Sequence, residues 1–186
     1  MDQQRHYFFA AVIPEEIKKI MKGHCEQLKE AMPFRSWVYH EDLHITLVFL
    51  GTAPSNRLKT SVNNVEEAMR SFEPFTLKIT KLGIFGKKEA PRVLWAGINE
   101  SNQLQSIRAK VFSDCEEAGF KLETRPFRPH LTIARKWISE EPFQERFLER
   151  WTEIQPKPLE FRVEQIALYE THLNKIPKYE AVRIFL

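Results

Sequence analysis

The chain has 186 residues, 42% hydrophobic and 28% charged, a balance that fits an ordinary soluble globular protein of one domain spanning 1–186. Its apolar stretches, such as Phe8 to Ile13, are far too short to span a bilayer, and residues 1–6 open no signal-peptide pattern, so a membrane role is excluded and a cytoplasmic location is expected. A net charge of +3 excludes little by itself, and two cysteines, Cys25 and Cys115, read as reduced core thiols rather than a disulfide or a metal pair.

His6 to Ile13 is aromatic and apolar and predicts a strand closed by Pro14. A helix follows over 14–31, with Pro14 in its first turn, Glu15 and Glu16 near the positive end of its dipole, and Ile17, Ile20, Met21, His24 and Leu28 inward. Ser36 to Tyr39 and His44 to Leu50 predict strands, the second stopped by Gly51. Residues 55–72 predict a helix with Leu58, Val62, Val65, Met69 and Phe72 on one face. Phe75 to Leu82 is a strand, Gly83 to Lys88 a loop, and Arg92 to Ile98 a strand. A third helix spans 101–118, with Leu104, Ile107, Val111, Cys115 and Ala118 inward and Gly119 as its stop. A strand at 129–135 precedes a short helix capped by Ser139 and reaching Trp151. Leu159 to Tyr169 and Tyr179 to Leu186 finish the chain as strands. Apolar positions in the first of these shift from odd to even numbers, which predicts a β-bulge near Glu164–Gln165.

Two tetrads stand out. His44-Ile45-Thr46-Leu47 and His130-Leu131-Thr132-Ile133 share one pattern and lie nearly half the chain apart. In a strand, side chains alternate faces. Each tetrad therefore sets an imidazole and a hydroxyl side by side, with Ile45, Leu47 and Phe49, or Leu131 and Ile133, turned to a core. Two histidines so placed form an acid–base pair suited to phosphate-ester chemistry. Segment 121–136 carries five basic residues against one acidic, so positive charge gathers around the second tetrad, where an anionic substrate is attracted. The element order predicts an α+β fold with two related lobes, antiparallel sheets lining a central cleft and helices outside.

Paired His-x-Thr-x motifs, one per half, resemble the signature of the 2H phosphoesterase superfamily. Arg5 to Ala10, Trp37, Arg92-Val93-Leu94-Trp95, Arg128-Pro129-His130-Leu131-Thr132-Ile133-Ala134-Arg135, Leu168-Tyr169-Glu170-Thr171 and the Tyr179 strand extend the likeness over essentially the whole chain. The finer resemblance is to the bacterial RNA 2′,3′-cyclic phosphodiesterases, historically called 2′-5′ RNA ligases. Thr171 departs from the serine more common there.

The resemblance implies hydrolysis of RNA 2′,3′-cyclic phosphate ends to 2′-phosphomonoesters. His44 would be the proton donor, His130 the proton acceptor, and Thr46, Thr132 and Arg135 the phosphate-binding groups. The reverse reaction would give a 2′-5′ linkage. No cofactor or metal is expected, nor an obligate protein partner, and the chain is expected to act as a monomer. Strict alternation sends Arg135, five residues after His130, to the wrong face, so it must reach the site from the strand's end or through a twist. Phe9 and Phe127 are candidates to stack on a base, and Lys87 and Lys88 to touch an RNA backbone. His40 and His44, four apart, would suit a metal on a helix, but their surroundings read as strand and turn. His6, His24 and His172 read as surface or boundary residues. Two other functions fit the same residues: action on a small cyclic nucleotide or an oligoadenylate, and non-catalytic binding of RNA ends.

Overall fold

The computed structural model describes residues 5–186. Residues 1–4, on which the expected absence of a leader pattern partly rests, lie outside them. In chain order the elements are β1 (His6–Val12), α1 (Glu15–Lys29), β2 (Phe34–Trp37), a 3₁₀ turn (His40–Asp42), β3 (His44–Thr52), α2 (Ser55–Met69), β4 (Phe75–Lys87), β5 (Ala90–Ile98), α3 (Asn102–Glu117), β6 (His130–Trp137), α4 (Arg146–Ile154), β7 (Leu159–Val163), β8 (Ile166–Thr171) and β9 (Tyr179–Phe185). They form two antiparallel sheets, ordered β3-β1-β8-β9 and β2-β6-β5-β4-β7. Helices α2 and α3 pack together beside the first sheet, α1 and α4 beside the second, and β3 meets β6 between the sheets. The fold is thus α+β and two-lobed.

The lobes exchange strands. β1 and β3 lie in the first sheet, but the next strand, β4, crosses to the second. β5 and β6 lie in the second sheet, and β8 later crosses back to the first. This crossing corrects one expectation. The phase slip at Glu164–Gln165 is not a bulge: the chain leaves the second sheet after Val163 and enters the first at Ile166. The slip in apolar phase is the change of sheet itself.

Helix faces follow the apolar periodicity with one exception. Met21, Leu28, Val65, Leu104 and Val111 are fully buried, but Ile20 is exposed and Cys25 takes the inner position instead. Gly119 stops α3 with φ +92°, a conformation that costs glycine little. Ser139 does not cap α4, which begins at Arg146; its hydroxyl accepts the Glu141 N–H instead. The predicted loop at 83–88 is strand through Lys87, because β4 stays paired with β5 from Leu82 to Lys87, with one register shift between Phe85 and Gly86.

β-Bulges beside both tetrads decide which side chains reach the space between the lobes. On β3, Thr46 pairs with Ala10 and Val48 with Phe9, leaving Leu47 as an extra residue. On β6, Thr132 pairs with Trp95 and Ala134 with Leu94, leaving Ile133 extra. The burial sequence is the same on both strands: Leu47 and Val48, like Ile133 and Ala134, are consecutive buried residues. Each extra residue shifts the alternation by one. Phe49 and Arg135 therefore leave the core, and Phe49 is 56% exposed, against the expectation that it packs inward.

Beside the second tetrad, Trp95 lies flat on its cross-strand partner. A Cβ built on Gly83 would stand 2.2 Å from the Trp95 ring, and one on Gly97 3.1 Å from it. Gly83→Ala is expected to displace the indole and cost about 1–3 kcal/mol, read by urea denaturation. Wild-type stability with an unchanged tryptophan emission spectrum would contradict this packing.

Candidate active site

Each tetrad histidine is anchored by its own chain. His44 Nδ1 lies 2.7 Å from the Asp42 carbonyl oxygen, and His130 Nδ1 lies 2.7 Å from the Arg128 carbonyl oxygen. A carbonyl only accepts, so Nδ1 carries the hydrogen in both rings. Nε2 is then the nitrogen free to exchange a proton. In His44 it lies 3.0 Å from Thr46 Oγ1, and in the neutral ring it accepts the Thr46 hydroxyl hydrogen.

Asp42 holds more than one part of the first anchor. Its carboxylate is buried and accepts the backbone N–H groups of Lys178 (3.0 Å) and Tyr179 (2.9 Å). The segment before β3 is thereby tied to the start of β9. On its other side, Lys18 Nζ donates to the Glu41 carbonyl at 2.8 Å. Nothing in the local sequence singles out Asp42, because its partners come from the far end of the chain.

Aromatic rings dry both imidazoles. His44 stands 4.7 Å from the Phe8 ring, 5.1 Å from Tyr179 and 6.1 Å from Tyr169, centre to centre. His130 stands 5.0 Å from Phe85 and 6.2 Å from Trp95. Burial pushes the His44 pKa down to about 4, opposed by its bond to the Asp42 carbonyl and the Asp42 charge and aided by His130 and Arg135. Burial also lowers His130, opposed by the Arg128 carbonyl bond and aided by Arg135. Both rings are therefore neutral near pH 7 in the free protein. Burial likewise raises Tyr179, so its phenol stays protonated.

A cleft of about 770 Å³ is lined by His44, Thr46, His130, Thr132 and Arg135 together, and by Phe127. Phe9 does not reach it. Its ring is fully buried and packs 6.0 Å from Phe185, because β1 turns Phe8, not Phe9, to the face that carries His44. Lys87 and Lys88 lie outside the cleft lining, and Lys88 pairs with Glu145 at 3.1 Å. His24 bonds Gln155, His172 pairs with Glu180, and His6 packs edge-on to Phe49. Among the described residues, His40 and His44 fall in no common group of three or more potential ligands with metal-binding spacing. The one histidine–carboxylate group of metal-binding spacing among the described residues is Glu15, His40 and Glu41.

Five arginines line the cleft: Arg92, Arg108, Arg125, Arg128 and Arg135. Among the described residues, only Arg125 of these has a carboxylate partner, Glu123. The basic segment predicted three of them. Arg92 and Arg108 come from β5 and α3, elements whose own sequence signals only strand and helix.

The sequence profile of the 2′-5′ RNA ligase superfamily matches residues 14–175. The RNA 2′,3′-cyclic phosphodiesterase of Bacillus subtilis (strain 168) is 32% identical over 181 residues, covering 97% of this chain and 96% of that one. A protein of the same description from Geobacillus stearothermophilus is 38% identical over 98% of this chain, which spans 57% of that relative's length. Among solved structures, E. coli LigT complexed with 3′-AMP superposes with a TM-score of 0.75 at 21% identity, over 98% of both chains. A structure from Thermus thermophilus, TT0787, gives 0.74 at 26% identity, over 97% of this chain and 96% of that one. With its profile matched over most of its length and full-length relatives above 30% identity, the chain belongs to the 2′-5′ RNA ligase superfamily.

Proposed function

We propose that this protein is a phosphodiesterase that opens the 2′,3′-cyclic phosphate at RNA ends to a 2′-phosphomonoester, with His44 as proton donor and His130 as proton acceptor. The observation that carries the reading is the matched pair of imidazoles in one cleft, each with Nδ1 tied to a carbonyl two residues back. The names of the Bacillus and Geobacillus relatives support the substrate class.

The chemistry follows from the ring states. His130 is neutral and its anchor is the more exposed of the two, which suits a base that draws water from solvent. Its Nε2 takes a proton as the water oxygen bonds to phosphorus. The bond from phosphorus to the 3′-oxygen breaks, and His44 Nε2–H delivers a proton to that oxygen. The phosphate stays on the 2′-oxygen. Run backward with a 5′-hydroxyl in place of water, the same steps join two ends through a 2′-5′ linkage.

His44 needs a proton it lacks in the free protein. An anionic phosphodiester placed beside it favours the charged ring and raises its pKa. Once Nε2 is protonated it no longer accepts from Thr46. The Thr46 hydroxyl is then free to donate to a phosphoryl oxygen, as Thr132 does from the other strand. Arg135 adds fixed positive charge where negative charge grows on the phosphoryl oxygens. The acid–base steps draw on this chain alone, which fits a monomer acting in the cytoplasm. No helix among the described residues is long and apolar enough to cross a membrane.

His44→Ala and His130→Ala are each expected to lower the rate on a 2′,3′-cyclic nucleotide by ~10² or more. Activity is expected to survive EDTA, and chromatography should show the 2′-phosphate as product. A fully active alanine variant, or a 3′-phosphate product, would overturn the assignment. A mononucleotide preferred over an RNA end would favour the small-nucleotide function, and binding without turnover a non-catalytic module.

A second measurement reads the proton itself. In His130→Ala, uridine 2′,3′-cyclic phosphate should bind with uptake of up to one proton between about pH 4.5 and 6.5, since ligation raises His44 from its depressed value near 4. Calorimetry in buffers of different ionisation enthalpy measures it. The uptake should vanish in the double variant that also carries His44→Gln; binding without uptake in His130→Ala would remove His44 from the donor role.

A further inference from the structure

Arg108 stands out among the cleft's cations. It projects from α3, an element that carries neither tetrad, and its guanidinium lies 4.3 Å from the Phe112 ring centre and 5.3 Å from that of Phe127. Its Nε is buried without a hydrogen-bond partner, and no carboxylate forms an ion pair with it among the described residues. Glu116 is near enough to raise its pKa, yet burial outweighs it.

Arg108 is half-buried, and its Nε–H is out of water with no acceptor, a donor that an anion can complete. The two ring faces beside it favour the cation but accept no such bond in the structure. Two rings at 4.3 and 5.3 Å from the guanidinium carbon restrict where the side chain can go, which favours bidentate binding of a phosphate. Arg92 and Arg128 also line the cleft, but both are exposed and keep their water. Arg108 is the cation prepared in advance for an anionic ligand.

The His–Thr pairs and Arg135 come from β3 and β6, whereas Arg108 comes from α3, beside the Phe127 ring of the segment before β6. A volume of about 770 Å³ lies toward the upper end of the ~300–1,000 Å³ usual for small-molecule sites, so the cleft has room beyond one reacting group.

We propose that Arg108, clamped between Phe112 and Phe127, is a second phosphate subsite that takes the phosphate on the 5′ side of the terminal nucleotide. The inference rests on the proposed RNA-end function and sharpens its substrate class. The preferred substrate is an end with a phosphodiester behind it, and a lone nucleoside cyclic phosphate leaves this subsite empty. On this reading the Phe127 ring serves to hold Arg108, in addition to any contact with a base.

The test compares uridine 2′,3′-cyclic phosphate with the same nucleotide bearing a 5′-phosphate, in the wild-type protein, Arg108→Met and Phe127→Leu. In the wild type the 5′-phosphate should raise kcat/KM about tenfold or more. In Arg108→Met the ratio between the two substrates should fall to about one, and in Phe127→Leu it should fall part of the way. For the 5′-phosphorylated substrate, kcat/KM should fall less steeply with added salt in Arg108→Met than in the wild type. A wild-type ratio near one, or a ratio that survives Arg108→Met, overturns the subsite. Binding of uridine 2′-phosphate and uridine 2′,5′-bisphosphate, measured by calorimetry, separates the two proposals. If neither cyclic substrate turns over, the catalytic reading fails, while a tenfold tighter bisphosphate that loses its advantage in Arg108→Met still sustains the subsite. Equal affinities in the wild type overturn it.

Discussion

One inserted residue on each tetrad strand governs what the cleft contains. Without Leu47 and Ile133 as extra residues, the alternation would run on unbroken from Thr46 to Phe49 and from Thr132 to Arg135. Arg135 would point into the core of its lobe, where an unpaired guanidinium costs several kcal/mol. With the bulge, His130, Thr132 and Arg135 share a face, although no regular strand could place residues two and then three apart on one side. Leu131, Ile133 and Ala134 are all completely buried on the strand that carries Thr132, so the bulge sits within the core. Packing and chemistry are fixed by the same local irregularity.

The second constraint is electrical. Each imidazole is held in one tautomer by a carbonyl of its own chain and surrounded by aromatic rings, so the resting site stores no charge on its histidines. The positive potential comes instead from arginines, which cannot be discharged near neutral pH. The substrate anion thus meets a cationic cleft whose acid–base groups are neutral, and its own charge favours protonation of the buried one. Exposed histidines near pKa ~6.5 would instead be partly charged before any substrate arrived.

Local sequence disclosed the parts that depend on neighbours in the chain. The tetrads, the strand faces of His and Thr, the helix stripes and the basic segment before β6 all rest on spacings of two to four residues, and these are legible. What is not legible depends on distant partners. Phe9 and Phe8 are adjacent and chemically alike, and only the pairing of β1 with β3 and β8 decides which one meets His44. Phe49 reads as core because the bulge at Leu47 leaves no mark in composition. Asp42 is bound by Lys178 and Tyr179, and Arg108 by Phe127, across separations no periodicity reports. The slip at Glu164–Gln165 is visible, but a bulge and a change of sheet leave the same trace in a string of apolar positions.

The two lobes are alike where symmetry serves the reaction and unlike where it would hinder it. Histidine, threonine, bulge and backbone anchor recur in matched register. The residue three places after the threonine does not: it is Phe49 on one strand and Arg135 on the other. All five cleft arginines follow β4 in the chain, four of them from α3, the segment after it and β6. A fully symmetric cleft would bind the phosphate in two equivalent orientations and let either histidine act first. Giving the cations to the later part of the chain makes the two halves of the cleft unequal, so the anion has a single favourable pose. His130 is the more exposed ring and is available as a base, while His44 lies deepest among aromatics and is charged only through the substrate. Direction in the proposed proton transfer therefore comes from where the two tetrad strands differ.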